Sequence, residues 1–244
     1  MAQYYHDDKE FGRIYIMMRR NMRTVRFQWE NDGHLHVHCP PIGASDLQRI
    51  IDYNRVGIRA TIADAKSKPA FAYHVGQVIP CIGFDITIGT QDEDPQHIKY
   101  KLTSNNVQLR IPSLLDPASP QGVTWIASCI GNILQAKAHD PLLALLKREA
   151  ARTGVQVNGF EIGHGKKKLG HCTSRGVILL SRNVALLTEE LACYIICHEL
   201  AHRTYLSHNA DFHALVNKYT GGREAELEKS LKSFMRNNFP IPLG

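Results

Sequence analysis

The 244-residue sequence has no run of the ~18 uncharged apolar residues needed to cross a bilayer, so no membrane helix is expected. Its beginning, MAQYYHDDKEFG, carries acidic residues and lacks an apolar segment, so no secretory signal or transit peptide is expected there and the expected location is cytoplasmic. It also lacks the dense, regular cysteine spacing of a secreted disulfide framework. The six cysteines, at 39, 81, 129, 172, 193 and 197, are scattered and expected to be reduced. No repeat, low-complexity segment or nucleic-acid recognition motif can be read. The net charge of +6 is compatible with anionic partners, nucleic acid included, but its lysines and arginines are spread along the whole chain.

What is present divides by character. Residues 13–19 and 24–30 alternate, with Val25, Phe27 and Trp29 on one face, and Asn31-Asp32-Gly33 supplies a hairpin turn into HLHVHCP. Ser45 can cap a helix through Leu47, Ile50, Ile51, Tyr53 and Ile58 toward Ala63. Strand signals return in FAYHVGQVIP, FDITIGT, HIKYKL and VQLRIP, before a proline-rich break at 112–120. Residues 121–152 then read as a long amphipathic helix or helix pair ending before Gly154. Strands VQVNGFEIG and GVILLS flank the polar segment HGKKKLGHCTSR, and helices are expected over 188–205, about 210–219 and 223–237. The expected fold is α+β: one domain over 1–244, with a mostly antiparallel β-rich part at about 11–112 and a helical, zincin-like metal-binding part at about 121–237.

The chemistry concentrates in TEELACYIICHELAHRTYLSH. Thr188 can cap a helix whose first turn holds Glu189 and Glu190, where the dipole favours anions, and Leu191, Tyr194 and Ile195 give it an apolar face. Four residues advance a helix by about 400°, so His198 and His202 emerge one turn apart on one side and can share a tetrahedral zinc ion. Glu199 sits on the flank, where it can act as base toward a metal-bound water without being a ligand. A third ligand is needed, and the candidates are His208 and His213. On an unbroken helix His208 would lie about 9 Å beyond His202 and rotated away, so the helix must end between them. Ser207 and Asn209 are suited to that bend, which favours His208.

The blocks NDGHLHVHCPP, KLGHCTSRGVILLS, LACYIICHELAH and SHNADFHALVNKY, in that order, resemble the YgjP-like metallopeptidase family, related to the SprT-like and WSS-type zinc proteins. The resemblance implies zinc held by His198, His202 and His208, with Glu199 as base. Where the family usually carries a Trp-Gly-Ser-Cys-like run, this chain has Leu169, Gly170, His171 and Cys172, and its Phe-Trp pair appears as Phe212 and His213. The metzincin pattern fits less well, because its turn glycine is replaced by Tyr205.

The leading expectation is therefore a zinc-dependent hydrolase acting on a peptide or protein, with His171, Arg175, Tyr205 or His213 as substrate-binding or oxyanion-stabilising groups. If 176–181 is an edge strand, an extended peptide could add to it. One alternative is a nucleotide (UTP) pyrophosphohydrolase using Lys166, Lys167, Lys168, Arg175 and Arg182 for phosphates, although a solvated loop would carry the same residues. The other is a noncatalytic zinc-stabilised interaction module, which would have no need of Glu199. His34, His36 and His38 share a strand face and are expected to face solvent more readily than to bind a second metal. Cys172, Cys193 and Cys197 are expected to pack rather than react.

Overall fold

Strands β3 (Arg26–Trp29) and β4 (Leu35–Cys39) pair antiparallel, with Trp29 opposite Leu35. A computed structural model describes residues 4–30, 33–67, 71–103, 105–165 and 168–242, so Asn31 and Asp32 lie outside the described residues. Strand alternation sends Leu35, Val37 and Cys39 into the core and leaves His36 and His38 half-buried on the other face. On that face Tyr15 packs against the rings of His34 and His36, at 5.2 and 5.1 Å.

The chain divides into two compact units, one up to Ala72 and one from Tyr73 onward. In the first, β1 (Tyr4–Asp8), β2 (Gly12–Met18), β3 and β4 form a sheet in the order β1-β2-β4-β3, where β2 and β4 run parallel and the other pairs antiparallel. Helix α1 (Ala44–Ser67) supplies Leu47, Ile51 and Ile58 to a core shared with Ile14, Ile16, Leu35, Val37 and Cys39. It runs about one turn past the expected end. Strand β1 had no signal in the sequence. It is tied down by Asp8, whose almost fully buried carboxylate accepts from Arg55 at 2.9 and 3.1 Å and from the backbone N–H groups of Glu10 and Phe11. Arg55 holds that carboxyl far below the ordinary range, against the opposing effect of burial.

The second unit opens with β5 (Val78–Cys81), β6 (Phe84–Gln91), β7 (Lys99–Leu102) and β8 (Asn106–Pro112), in the order β5-β6-β8-β7. Again the middle pair is parallel and the outer pairs antiparallel. Helix α2 (Pro120–Lys137), capped by the Ser119 hydroxyl, follows, so a four-strand-plus-helix arrangement occurs twice in a chain whose sequence shows no repeat. Helix α3 (His139–Thr153) ends on Gly154 in the left-handed conformation (φ 73°), as the glycine signal implied.

A third sheet, ordered β10-β11-β9, contains β9 (Gly159–Gly163), β10 (Gly170–Cys172) and β11 (Val177–Ser181). Strand β10 arises from the polar segment expected to be a loop. It pairs antiparallel with β11, while β9 flanks β11 in parallel. Residues 176–181 therefore do not form an edge strand: β11 is central because its apolar side chains are covered and both its backbone edges are paired. A five-residue 3-10 segment, Arg182–Leu186, leads to α4 (Glu189–Ala201), α5 (Ala210–Tyr219) and α6 (Glu224–Asn237). The fold is α+β, with sheets toward the N-terminus and helices toward the C-terminus. No helix among the described residues is long and apolar enough to cross a membrane.

Candidate metal centre

Helix α4 begins where the sequence sets it: the Thr188 hydroxyl accepts from the Leu191 N–H, and Glu189 and Glu190 occupy the first turn. It is buried on nearly all sides, from Leu191 to Ala201, rather than along one apolar stripe. Against α3, Cys193 and Cys197 accept from Arg148 and Arg152, and burial pushes both thiols up, to about 11 and about 12.

The helix stops at Ala201, a turn sooner than expected, with His202 as its C-cap. Tyr205 still donates its N–H to the Ala201 carbonyl, and Asn209 caps α5 by accepting from the Phe212 N–H. The reversal needs no glycine, since no other residue type takes a positive φ among the described residues. It brings His208 back to the helix. One ring nitrogen each from His198, His202 and His208 lie within 4.8 Å of one another, and the Nε2 atoms of His198 and His208 are 3.0 Å apart. The Tyr205 carbonyl can only accept, so the 3.0 Å contact from His202 Nδ1 fixes the proton there and leaves Nε2 as a lone pair. His213 is directed elsewhere, its Nδ1 lying 2.7 Å from Glu224 Oε1.

Beneath the histidines lies Phe212, fully buried, its ring centroid 4.9, 4.6 and 4.7 Å from those of His198, His202 and His208. Reading the residues one by one overlooked this role, although Phe212 stands four residues after His208 in the first turn of a capped helix. Burial, assisted by the neighbouring imidazoles, lowers His198 to about 4, and burial also lowers His208. His198 and His208 are thus biased toward the neutral, lone-pair-bearing form that a metal requires.

Glu199 is buried beside them, and its carboxyl is pushed up to about 7 by that burial; the charge of Lys168 and the backbone N–H of Cys172 act in the opposite direction. Gly170 makes room for it, because a Cβ there would stand 2.5 Å from Glu199 Oε1. The cleft over this group has a volume of about 540 Å³, and His171 and Cys172 of β10 line it. Arg175, Tyr205 and His213 are not among its lining residues. Arg175 belongs to the turn before β11, where its carbonyl accepts from Asn158. Of the five basic residues considered for phosphates, Lys168 lines the cleft, Arg175 and Arg182 do not, and Lys166 and Lys167 lie outside the described residues. Arg182 instead lies across Gly131 of α2.

The YgjP-like, metallopeptidase domain family matches residues 23–234 of the chain. Among solved structures, the metallopeptidase zymogen of Pyrococcus abyssi abylysin is 28% identical, with a TM-score of 0.36, over 40% of this chain and 98% of that one. The metallopeptidase zymogen of Methanocaldococcus jannaschii jannalysin is 23% identical, with a TM-score of 0.34, over 38% and 94%. No curated protein matches the chain.

Proposed function

The chain belongs to the YgjP-like family of metallopeptidase domains, and from that membership we propose that it is a zinc-dependent peptidase, with His198, His202 and His208 as ligands and Glu199 as general base. The observation that carries the reading is the set of three imidazole nitrogens within 4.8 Å, adjoining a buried carboxylate. The donors fit the ion: neutral imidazoles suit zinc, and three protein ligands leave a position for water or substrate. When bound, zinc supplies Lewis acidity toward a scissile carbonyl and a water molecule.

The remaining work falls to the chain's own groups. A carboxyl near pKa 7 can take a proton from the attacking water and return it to the departing amine nitrogen at neutral pH. The Cys172 N–H and Lys168 favour its charged form, which is the form that accepts the proton. The Tyr205 carbonyl keeps His202 in one tautomer and orientation. Strand β10, at the edge of its sheet and along the cleft, offers backbone groups to an extended peptide. Gly170 leaves the Glu199 carboxylate room beside that strand, and His171 is the candidate donor to the oxyanion.

The test is metal-reconstituted protein with Glu199→Gln beside it. We expect about one zinc per chain in both and similar thermal stability, because the amide is nearly isosteric. Peptide hydrolysis should fall by about 10²–10⁴, the usual worth of a positioned base. Loss of zinc in the variant would make Glu199 a structural group. Retained zinc with undiminished turnover would show that another residue activates the water.

A further inference from the structure

One side of the cleft is rich in apolar side chains, and it stands on the side of the histidines away from the bend. On α4, Tyr194 and Ile195 precede His198 by four and three residues, so they project from the same side of the helix one turn earlier. Leu169, just before β10, and Leu231 of α6 also line this cleft. Helix α6 turns Glu228, Leu231 and Lys232 toward it, at the three- and four-residue spacing of one helical face, and Leu227 one position earlier is buried. The charges on that face compensate each other: Lys232 Nζ lies 2.6 Å from Glu228 Oε1. Tyr194 and Glu228 line the same cleft, and α4 and α6 are in contact.

Such a wall selects by desolvation. An aliphatic or aromatic side chain set against Leu169, Ile195 and Leu231 gains by leaving water, whereas an amide, ammonium or carboxylate held there gives up hydration that hydrocarbon cannot replace. Its position sets which substrate residue it reads. A helical turn is about 5.4 Å, comparable to the reach from a carbonyl held at the histidines to the side chain of a flanking residue, since successive Cα atoms are about 3.8 Å apart.

Resting on the peptidase reading, we infer that Leu169, Tyr194, Ile195 and Leu231 form a side-chain subsite, and that the protein cleaves peptides bearing a large apolar residue next to the scissile bond. The experiment uses the full chain reconstituted with zinc and a set of quenched fluorescent peptides that differ only at that residue: Leu, Phe, Asn, Lys or Glu. The kcat/KM for Leu or Phe should exceed that for Asn by about tenfold or more, the scale on which hydrophobic pockets discriminate. Leu231→Glu should abolish the preference, and the milder Leu231→Ala should shift it from Leu toward Phe, with zinc content unchanged in both. In parallel, the peptides are bound to zinc-loaded Glu199→Gln and followed by fluorescence anisotropy, where the same apolar order is expected. Equal binding and cleavage of all five peptides, or a preference untouched by both Leu231 variants, would overturn the subsite. Apolar-selective binding with no cleavage of any peptide by the unmodified protein would overturn the peptidase reading and leave the subsite standing.

Discussion

The sheet of β1 to β4 with α1, and the sheet of β5 to β8 with α2, share strand order and strand directions, yet their helices bury different surfaces. Helix α1 commits Leu47, Ile51 and Ile58 to the core, keeps Arg49, Asp52 and Arg59 outside as charged partners, and sends the half-buried Arg55 to Asp8. Helix α2 buries Gly122, Val123, Ile126, Ile130, Gly131, Ile133 and Leu134, a face too wide for a single sheet. It is packed also against α3 and the 3-10 turn before α4. The comparison teaches that one arrangement serves two ends. With a narrow apolar seam it closes on itself; with a broad one it becomes the foundation on which α3, the third sheet and the histidine helix are built.

Three perturbations can break or sharpen this contrast. The largest effect belongs to the second unit: His208→Ala should weaken zinc binding by more than the roughly 10–100-fold typical of an outer partner, while His213→Ala should stay within that range. Competition with a chromophoric chelator measures both, and the reverse order would place the third ligand on α5. Next is the first unit, where Asp8→Ala removes one partner of a buried ion pair and should cost about 3 kcal/mol. Hydrogen exchange at β1 and β2 should report the loss, with zinc affinity unchanged; a change in zinc affinity would show that the two arrangements are not separable in this way.

The same residue gives a pH dependence. Asp8 has a folded-state pKa depressed by Arg55, so its contribution is complete above the unfolded carboxylate value of about 4 and fades as pH falls through the folded value. Amide protection in β1 and β2 should therefore fall on acidification, and less steeply in Asp8→Asn. The smallest effect is expected from Gly170→Ala: displacing the Glu199 carboxylate should slow hydrolysis about tenfold, below the ~10² that a 1 Å misplacement can cause, without loss of zinc. Unchanged turnover would mean that the carboxylate has room the geometry does not suggest.

Sequence alone reached those features whose causes are local. Alternation gave the pairing strands β3 and β4, a threonine with two glutamates gave the start of α4, and Gly154 gave the end of α3. The return of His208 was also legible, because two histidines one turn apart and a third six residues on cannot converge unless the helix stops. What escaped depends on distant partners. β1 is held by Arg55, 47 residues beyond Asp8; β10 is a strand because β11 offers it an edge; and Phe212 matters because three histidines surround it. The doubled strand order left no trace in the residues, since alternation specifies a buried face and says nothing of neighbour order.

The hydroxyl of Tyr73, at the first residue of the second unit, donates to the carbonyl of Pro240 at 3.1 Å, and Tyr73, Phe239 and Ile241 are all buried. The unit is thereby fastened like a clasped bracelet, with its two ends held together rather than left at opposite poles. Its chain could be cut at an exposed loop and rejoined across the clasp with little change in path, as circular permutation requires. Removing residues 239–242 would do the opposite: it would open the clasp and take that acceptor from the Tyr73 hydroxyl, loosening the start of the unit while the histidine bend stayed covalently whole.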